Sequence, residues 1–285
     1  MDITLRPAKP GDTPECGRVL YEAFKALADR HGFPPDFPSA EIASGLIGML
    51  IAHPEFHGVV AEQGGRIAGS NFMDQRSAVL GIGPISVDPA AQNLGVGRLL
   101  MQDLLRRAAA RGAPGVRLVQ AAYHNRSLCL YTNLGFQTRE PLSVMQGKRL
   151  NMAFPGYQVR PAAQADLAAC NALCREVHGF ERAAELNDAI GQGSATVVEH
   201  LGEVSGYATM VGFPGHTVAR TNRDLMALIG AASEFPGPGF LLPTRNQAVF
   251  AWCLANGLKL VMQMTLMTIG LYNEPAGAYM PSIWL

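Results

Sequence analysis

Two stretches of this chain repeat one another. "ITLRPAKPGD" from Ile3 and "YQVRPAAQAD" from Tyr157 each read as an alternating strand, then Arg-Pro-Ala, then an Asp placed to cap a helix. A second echo pairs "LYTNLGF" at Leu130 with "WCLANGL" at Trp252. With Arg6 set on Arg160 and Gly135 on Gly257, the second copy is roughly thirty residues shorter between its landmarks, the pattern of a degenerate duplication. The architecture is therefore expected to be built twice, with the boundary near "LNMAFPGY" and domains at 1–150 and 155–285. A chain of 285 residues with 48% hydrophobic content can bury two cores.

Within the first copy, Thr13 before Pro14 predicts a helix start, and Leu20, Phe24 and Leu27 recur at helical spacing until Gly32. After the proline-rich "GFPPDFP" a second helix is expected from about Glu41 to Ile51. Strands follow at His57 to Glu62, Arg66 to Asp74 and Val79 to Val87, the first two joined through a Gly64-Gly65 turn. The next helix puts Val96, Leu100 and Leu104 on one face and ends at Gly112. A strand "VRLVQA", a short helix "NRSLCLYTNLG" and a strand from Phe136 complete the order β-α-α-β-β-β-α-β-α-β. The strands on either side of the Val96 helix can run parallel and the rest antiparallel, which predicts a mixed sheet flanked by helices.

Charge excludes some partners. Lys+Arg and Asp+Glu both total 23, so no field of one sign draws nucleic acid or an anionic membrane. Five cysteines without a C-x-x-C pair fit a reducing, cytoplasmic setting. Cys170 and Cys174, four apart, should share a buried helix face. "MDITLRPAKPGD" lacks the pattern of a signal peptide, and the apolar run from Leu258 to Leu271 is too short to span a bilayer. His53 and His57 are separated by Pro54, which spoils a helical metal pair, so no metal is expected.

"DPAAQNLGVGRLLM" carries the chemistry: Gly95 and Gly97 strip side chains from a turn that leads directly into a helix. The first amides of a helix have no intrahelical partner and the aligned peptide dipoles leave partial positive charge there, so such a turn suits a phosphate. Position 100 is Leu rather than the third glycine of a dinucleotide fingerprint, and no Lys follows Gly97 as in a P-loop.

The remaining pattern, V-D-P-x-x-Q-x-x-G-x-G-R-x-L-L from Val87, resembles the coenzyme A pyrophosphate loop of the GNAT superfamily of N-acetyltransferases, with Asn93 where that family more often has Gly. "HNRSLCLYTNLGF" is similar to the family's closing motif, and the strand order agrees. The resemblance implies an α/β fold of two tandem GNAT-like domains, each a mixed, mostly antiparallel sheet flanked by helices. It implies acetyl-CoA as co-substrate and an amine acceptor, either a small molecule or a peptide N-terminus. Gln92, Asn93, Leu94, Gly95, Val96, Gly97 and Arg98 would grip the pyrophosphate. Pro84 cannot donate a ladder bond, and Ile85, Ser86 and Val87 beside it would offer main-chain groups to the pantetheine arm. Asn125 and Ser127 would touch the coenzyme, and Tyr131 would be the general acid for the departing thiolate. No base stands out among His124, Asp74 and Glu62.

In the second copy, "VARTNRDLMALIG" has no glycine turn, Thr221 and Asn222 look like plain caps, and Cys253 or Trp252 falls at the tyrosine position. That half is expected to wall the acceptor cleft or form an interface, and the aromatic tail "LYNEPAGAYMPSIWL" to fold back onto a domain surface. A non-catalytic acyl-CoA sensor stays open as the alternative, as does the oligomeric state, a homodimer included.

Overall fold

The structure is a computed structural model and describes residues 3–284. The first half runs β1 (Ile3–Pro7), α1 (Thr13–His31), α2 (Ala40–Ala52), β2 (Phe56–Gln63), β3 (Arg66–Asp74), β4 (Val79–Ile82), β5 (Ser86–Val87), α3 (Val96–Ala110), β6 (Gly115–Ala121), α4 (Asn125–Asn133) and β7 (Gln137–Gln146). The second half repeats the order with β8 (Tyr157–Pro161), α5 (Leu167–His178), α6 (Ala183–Gly191), β9 (Thr196–His200), β10 (Glu203–Ala208), β11 (Thr217–Ala219), α7 (Asn222–Ala231), β12 (Phe240–Pro243), α8 (Gln247–Ala255) and β13 (Lys259–Gly270). One further strand, β14 (Ala278–Met280), lies in the tail. Two sequence expectations shift. Thr13 lies inside α1 rather than capping it. The strand expected from Val79 to Val87 is broken at the cis Gly83-Pro84 peptide into β4 and β5.

The duplication is visible at the level of single hydrogen bonds. Arg6 reaches Asp12 at 2.7 and 2.8 Å and Glu62 at 2.8 and 2.6 Å. Arg160 reaches Asp166 at the same 2.7 and 2.8 Å and Glu199 at 2.9 and 2.5 Å. In each copy the aspartate also accepts the amide three residues before it, Lys9 or Ala163, at 2.8 Å. Those carboxylates thus fasten the first strand to the turn before the first helix.

The sheets do not divide where the sequence does. One sheet has the order β1-β2-β3-β4-β6-β13-β7-β12 with β5 on β3, and the other β14-β11-β10-β9-β8. Every pairing is antiparallel except β4 with β6. Met264–Gly270 of β13 pairs with Ala121–Gly115, and its other edge pairs with β7 from Lys259↔Gln146 to Thr268↔Gln137. β7 in turn pairs with β12, Phe240↔Met145 to Pro243↔Leu142. Each half therefore lends one long strand to the other, and the core around Leu142, Val144, Leu241, Met262, Met264 and Leu266 is built from both. Cys170 and Cys174 share a buried face, as their spacing implies. No helix among the described residues is long and apolar enough to cross a membrane.

α6 carries a buried polar network. Glu185 accepts two bonds from Arg182 at 2.8 and 2.5 Å and faces His216 Nδ1 at 3.3 Å, while the Tyr207 hydroxyl lies 3.0 Å from His216 Nε2. Burial, with the Arg182 charge adding to it, pushes His216 down to about 4. The unfolded chain therefore binds a proton between pH 6.5 and 4 that the folded one refuses, and stability falls as pH drops through that window. The loss from this one group reaches about 2 kcal/mol by pH 5. Asp36, raised to about 6 by burial, works in the opposite direction. The check is therefore a difference: urea melts at pH 7 and pH 5 should show His216→Asn losing less stability on acidification than the parent.

Candidate active site

The site begins where two parallel strands part. β4 pairs with β6 from Val79↔Gly115 to Gly81↔Arg117, and beyond Gly83-Pro84 that contact ends. β5 stays on β3 instead, with Ser86 opposite Ser70 and Val87 opposite Gly69. Asp88 N–H donates to the Ala68 carbonyl at 2.9 Å, so the alternation of an antiparallel ladder turns Ser86 toward β3 and the Val87 N–H and C=O away from it, into the gap facing β6. Ile85 lies between the two paired stretches with no main-chain partner among the described residues. Gly69 permits the approach: a Cβ there would meet the Ser86 carbonyl at 2.5 Å.

At the end of β5 the chain is pinned and then opened. Asp88 accepts from Ala90 N–H at 2.9 Å and from Arg18 at 3.1 Å, fixing the turn Pro89–Ala91. Asn93 (φ 70°) and Gly95 (φ 86°) are both left-handed, and no side chain caps α3. Asn is among the non-glycine residues that tolerate this region most readily, so Asn93 makes the left-handed turn without a glycine. The amides of Val96, Gly97 and Arg98 are thus first-turn donors without an intrahelical partner. Asn93, Leu94, Gly95 and Arg98 are exposed, Gln92 is half-buried and Val96 buried.

α4 closes the other side. Arg126 Nη1 donates to Gln92 Oε1 at 3.1 Å, tying the start of α4 to the glycine turn. Arg126 lies between Asn125 and Ser127 and carries no motif signal of its own. Asn125 is exposed in the first turn, and the cap position is His124, whose side chain makes no cap bond. Ser127 Oγ lies 2.9 Å from both Gln120 Oε1 and the His124 carbonyl, a local tether. Tyr131 is buried, edge-on to Phe136 at 6.0 Å, and burial raises its phenol well above the ordinary value. Its hydroxyl has no hydrogen-bond partner among the described residues.

Of the basic candidates, two are already engaged. Glu62 is held by Arg6, and Asp74 is bonded by Arg76 at 2.6 to 3.1 Å. His124 is half-buried, and burial followed by the charges of Arg126, His31 and Arg30 pushes it down. The loop after α1 adds a group the sequence reading did not name. Phe33 stacks on Tyr123 at 4.3 Å; burial, with the charge of partly buried Asp36 adding to it, raises the Tyr123 phenol to about 12, and burial raises Asp36 to about 6. No group of three His, Cys, Asp or Glu among the described residues is placed to hold a metal.

The second half closes both features. β11 stands where β5 stands, but its free edge is filled by β14, Thr217↔Met280 to Ala219↔Ala278. The α7 start is shut by a capping box, in which Thr221 Oγ1 accepts from Asp224 N–H at 3.3 Å and Asp224 accepts from Thr221 N–H at 3.0 Å. Phe136 N–H to the Tyr131 carbonyl and Leu258 N–H to the Cys253 carbonyl, both 3.0 Å, put Cys253 at the tyrosine position.

Residues 20–136 match the acetyltransferase (GNAT) family. A mycothiol acetyltransferase from Thermomonospora curvata is 37% identical over 87 residues, 30% of this chain and 29% of that protein, so the chain matches less than a third of that relative's length. A Pyrococcus horikoshii protein described as an acetyltransferase has the same fold over 97% of this chain and 94% of its own, with TM-score 0.75 and 16% identity. A tandem GNAT protein from the clavulanic acid biosynthesis pathway covers 94% of this chain and 98% of its own, with TM-score 0.57 and 14% identity. The first half of the chain thus carries the match to the GNAT acetyltransferase family, and the chain as a whole shares its fold with a tandem GNAT protein.

Proposed function

We propose that the first half transfers an acetyl group from acetyl-CoA to an amine by direct attack. The observation that carries this reading is the uncapped α3 start behind two left-handed residues, next to a strand whose outer edge is free; the same two places in the second half are closed. Amides from Gln92 to Arg98 would hold the diphosphate, with Arg98 and Arg126 flanking it. Ile85 and Val87 would pair with the pantetheine arm while Ser86 keeps the strand on β3, and Asn125 and Ser127 would border the coenzyme.

The amine must lose a proton, the carbonyl oxygen must be steadied as it gains charge, and the thiolate must leave. An N–H on the free edge of β5, such as that of Val87, serves the oxygen. Tyr131, kept neutral by burial, would direct its O–H at the departing thiolate and give it a proton as the bond to the acyl carbon breaks. His124, at the start of α4, and Asp36, near Tyr123, are the candidates to take up the amine proton. The second half walls the acceptor side and lends β13 to the sheet.

Gly97 gives the test. A Cβ there would meet Leu130 and Val87 side chains only at ordinary contact, 3.6 Å, so Gly97→Ala fits the fold. It should keep or raise stability by up to about 1 kcal/mol through the unfolded chain, yet weaken acetyl-CoA binding about tenfold or more by holding the diphosphate off the amides. Calorimetric titration of both proteins reads this, and unchanged affinity in Gly97→Ala would remove the turn from the site. Mass spectrometry of an amine panel then separates transfer from mere acyl-CoA sensing.

A further inference from the structure

Arg117 has no partner for its charge. It lies on β6 at the last position paired with β4, and its side chain shares the sheet face of Val119 and Ala121, opposite the α3 core that takes Val116 and Leu118. The residue is 8% exposed, Nε is unsatisfied, and the guanidinium makes neither a hydrogen bond nor an ion pair among the described residues. It lies instead over the rings of Phe180 at 5.0 Å and Tyr272 at 5.5 Å. Glu185 is held by Arg182, Glu140 by Arg245 and Asp188 by Arg76. Burial and the like charge of Arg182 lower Arg117 to about 10, which leaves it cationic at neutral pH.

This guanidinium opens into a small cavity between the two halves, lined also by His178, Arg182, Tyr272, Asn273 and Tyr279. The buried Tyr272 hydroxyl lacks a well-formed hydrogen bond as well. His178 is neutral there, pushed far down by burial and by Arg182, so it brings no charge of its own. An unpaired buried cation is costly, whereas a guanidinium fork matches a carboxylate in two parallel bonds. Arg117 stands on the strand that borders the gap, about 7 Å along it from Val119.

We propose that this cavity binds the carboxylate of the acceptor, which is then a small amine that also carries a carboxylate, an amino acid or a close analogue. The cavity takes the end group, not the whole molecule. The word acceptor rests on the acetyl-transfer reading; carboxylate binding by itself does not.

The test uses the full chain with coenzyme A present and two probe pairs, propionate against propionamide and benzoate against benzamide. Nitrogen-detected NMR of arginine side chains should show a saturable shift of the Arg117 Nε–H with the carboxylates and none with the amides. Arg117→Gln should weaken carboxylate binding about tenfold or more, Arg117→Lys less, since the ammonium keeps the charge but not the fork. Tyr272→Phe, which leaves the guanidinium in place, guards against a folding defect and should weaken it by a smaller factor. Equal responses to acids and amides, a carboxylate response that survives Arg117→Gln, or no saturable response overturns the proposal. Coenzyme A titrated alone separates the two readings: carboxylate binding without coenzyme binding would sink acetyl transfer and leave the cavity standing.

Discussion

Tyr131→Phe should lower kcat by about 10² to 10⁴ while leaving acetyl-CoA affinity within about twofold. The asymmetry follows from what the hydroxyl does in the resting protein. The ring packs edge-on to Phe136 inside the core of the first half, and phenylalanine keeps that contact. The hydroxyl makes no hydrogen bond among the described residues, so its removal breaks nothing and the melting temperature should hold or rise slightly. In the proposed acetyl transfer, its proton matters only when the thiolate leaves. Burial fixes the direction: a phenol raised this far stays protonated across the physiological range and acts as an acid, not a base. Stopped assays of free thiol release give kcat, and calorimetry gives the affinity. Equal kcat in the two proteins would reduce Tyr131 to a packing residue. Cys253→Ala, at the matching position of the second half, should leave kcat unchanged.

Local chemistry was legible in the sequence; partnership between distant strands was not. The Arg6 and Arg160 echoes mark the duplication because one triad of side chains repeats with the same spacing, and the structure returns it nearly bond for bond. The glycine turn, the start of α4 and the capping box of α7 are each written within a dozen residues, so motif and spacing identify them. The β13 exchange is different. A run such as "KLVMQMTLMTIG" declares a strand, but its period of two does not say which sheet edge it joins, and both neighbours of β13 come from the first half. β14 likewise reads only as an apolar tail until Ala219 is seen opposite Ala278. Arg117 was hidden for a related reason: inside "VRLVQA" an arginine looks like the solvated face of a strand, and only the packing of Phe180 and Tyr272 over it makes it a buried, unpaired charge. Asp36 and Glu62 exchanged importance by the same logic, since neither burial in a proline-rich loop nor capture by Arg6 has a local signal.

Removing the Glu185 carboxylate should be the most damaging single change to stability. Glu185→Ala strips the partner from Arg182, a guanidinium buried as deeply as Glu185 itself, both side chains 8% exposed, and withdraws the oxygen facing His216. Breaking such a pair from one side costs about 3–5 kcal/mol, because the remaining charge can neither return to water nor find another acceptor. For a chain of this size that corresponds to a fall in melting temperature of about 10 °C. The loss should reach beyond the second half. One turn further along α6, Asp188 accepts from Arg76 at 3.0 Å and lies 3.3 Å from His53, so the same helix anchors the first half. Since β7 and β13 are exchanged, the halves should melt together in one transition, and calorimetry on Glu185→Ala should show that single peak shifted rather than split. Arg220→Ala sets the scale, because its two partners are exposed and each such pair contributes at most about 1 kcal/mol. Replacing Arg182 and Glu185 together by Met and Leu should recover most of the loss, since two apolar side chains of similar volume leave no buried charge behind. If Glu185→Ala melts within a degree or two of the parent, water must reach Arg182, and the interface between the halves is wetter than its packing implies.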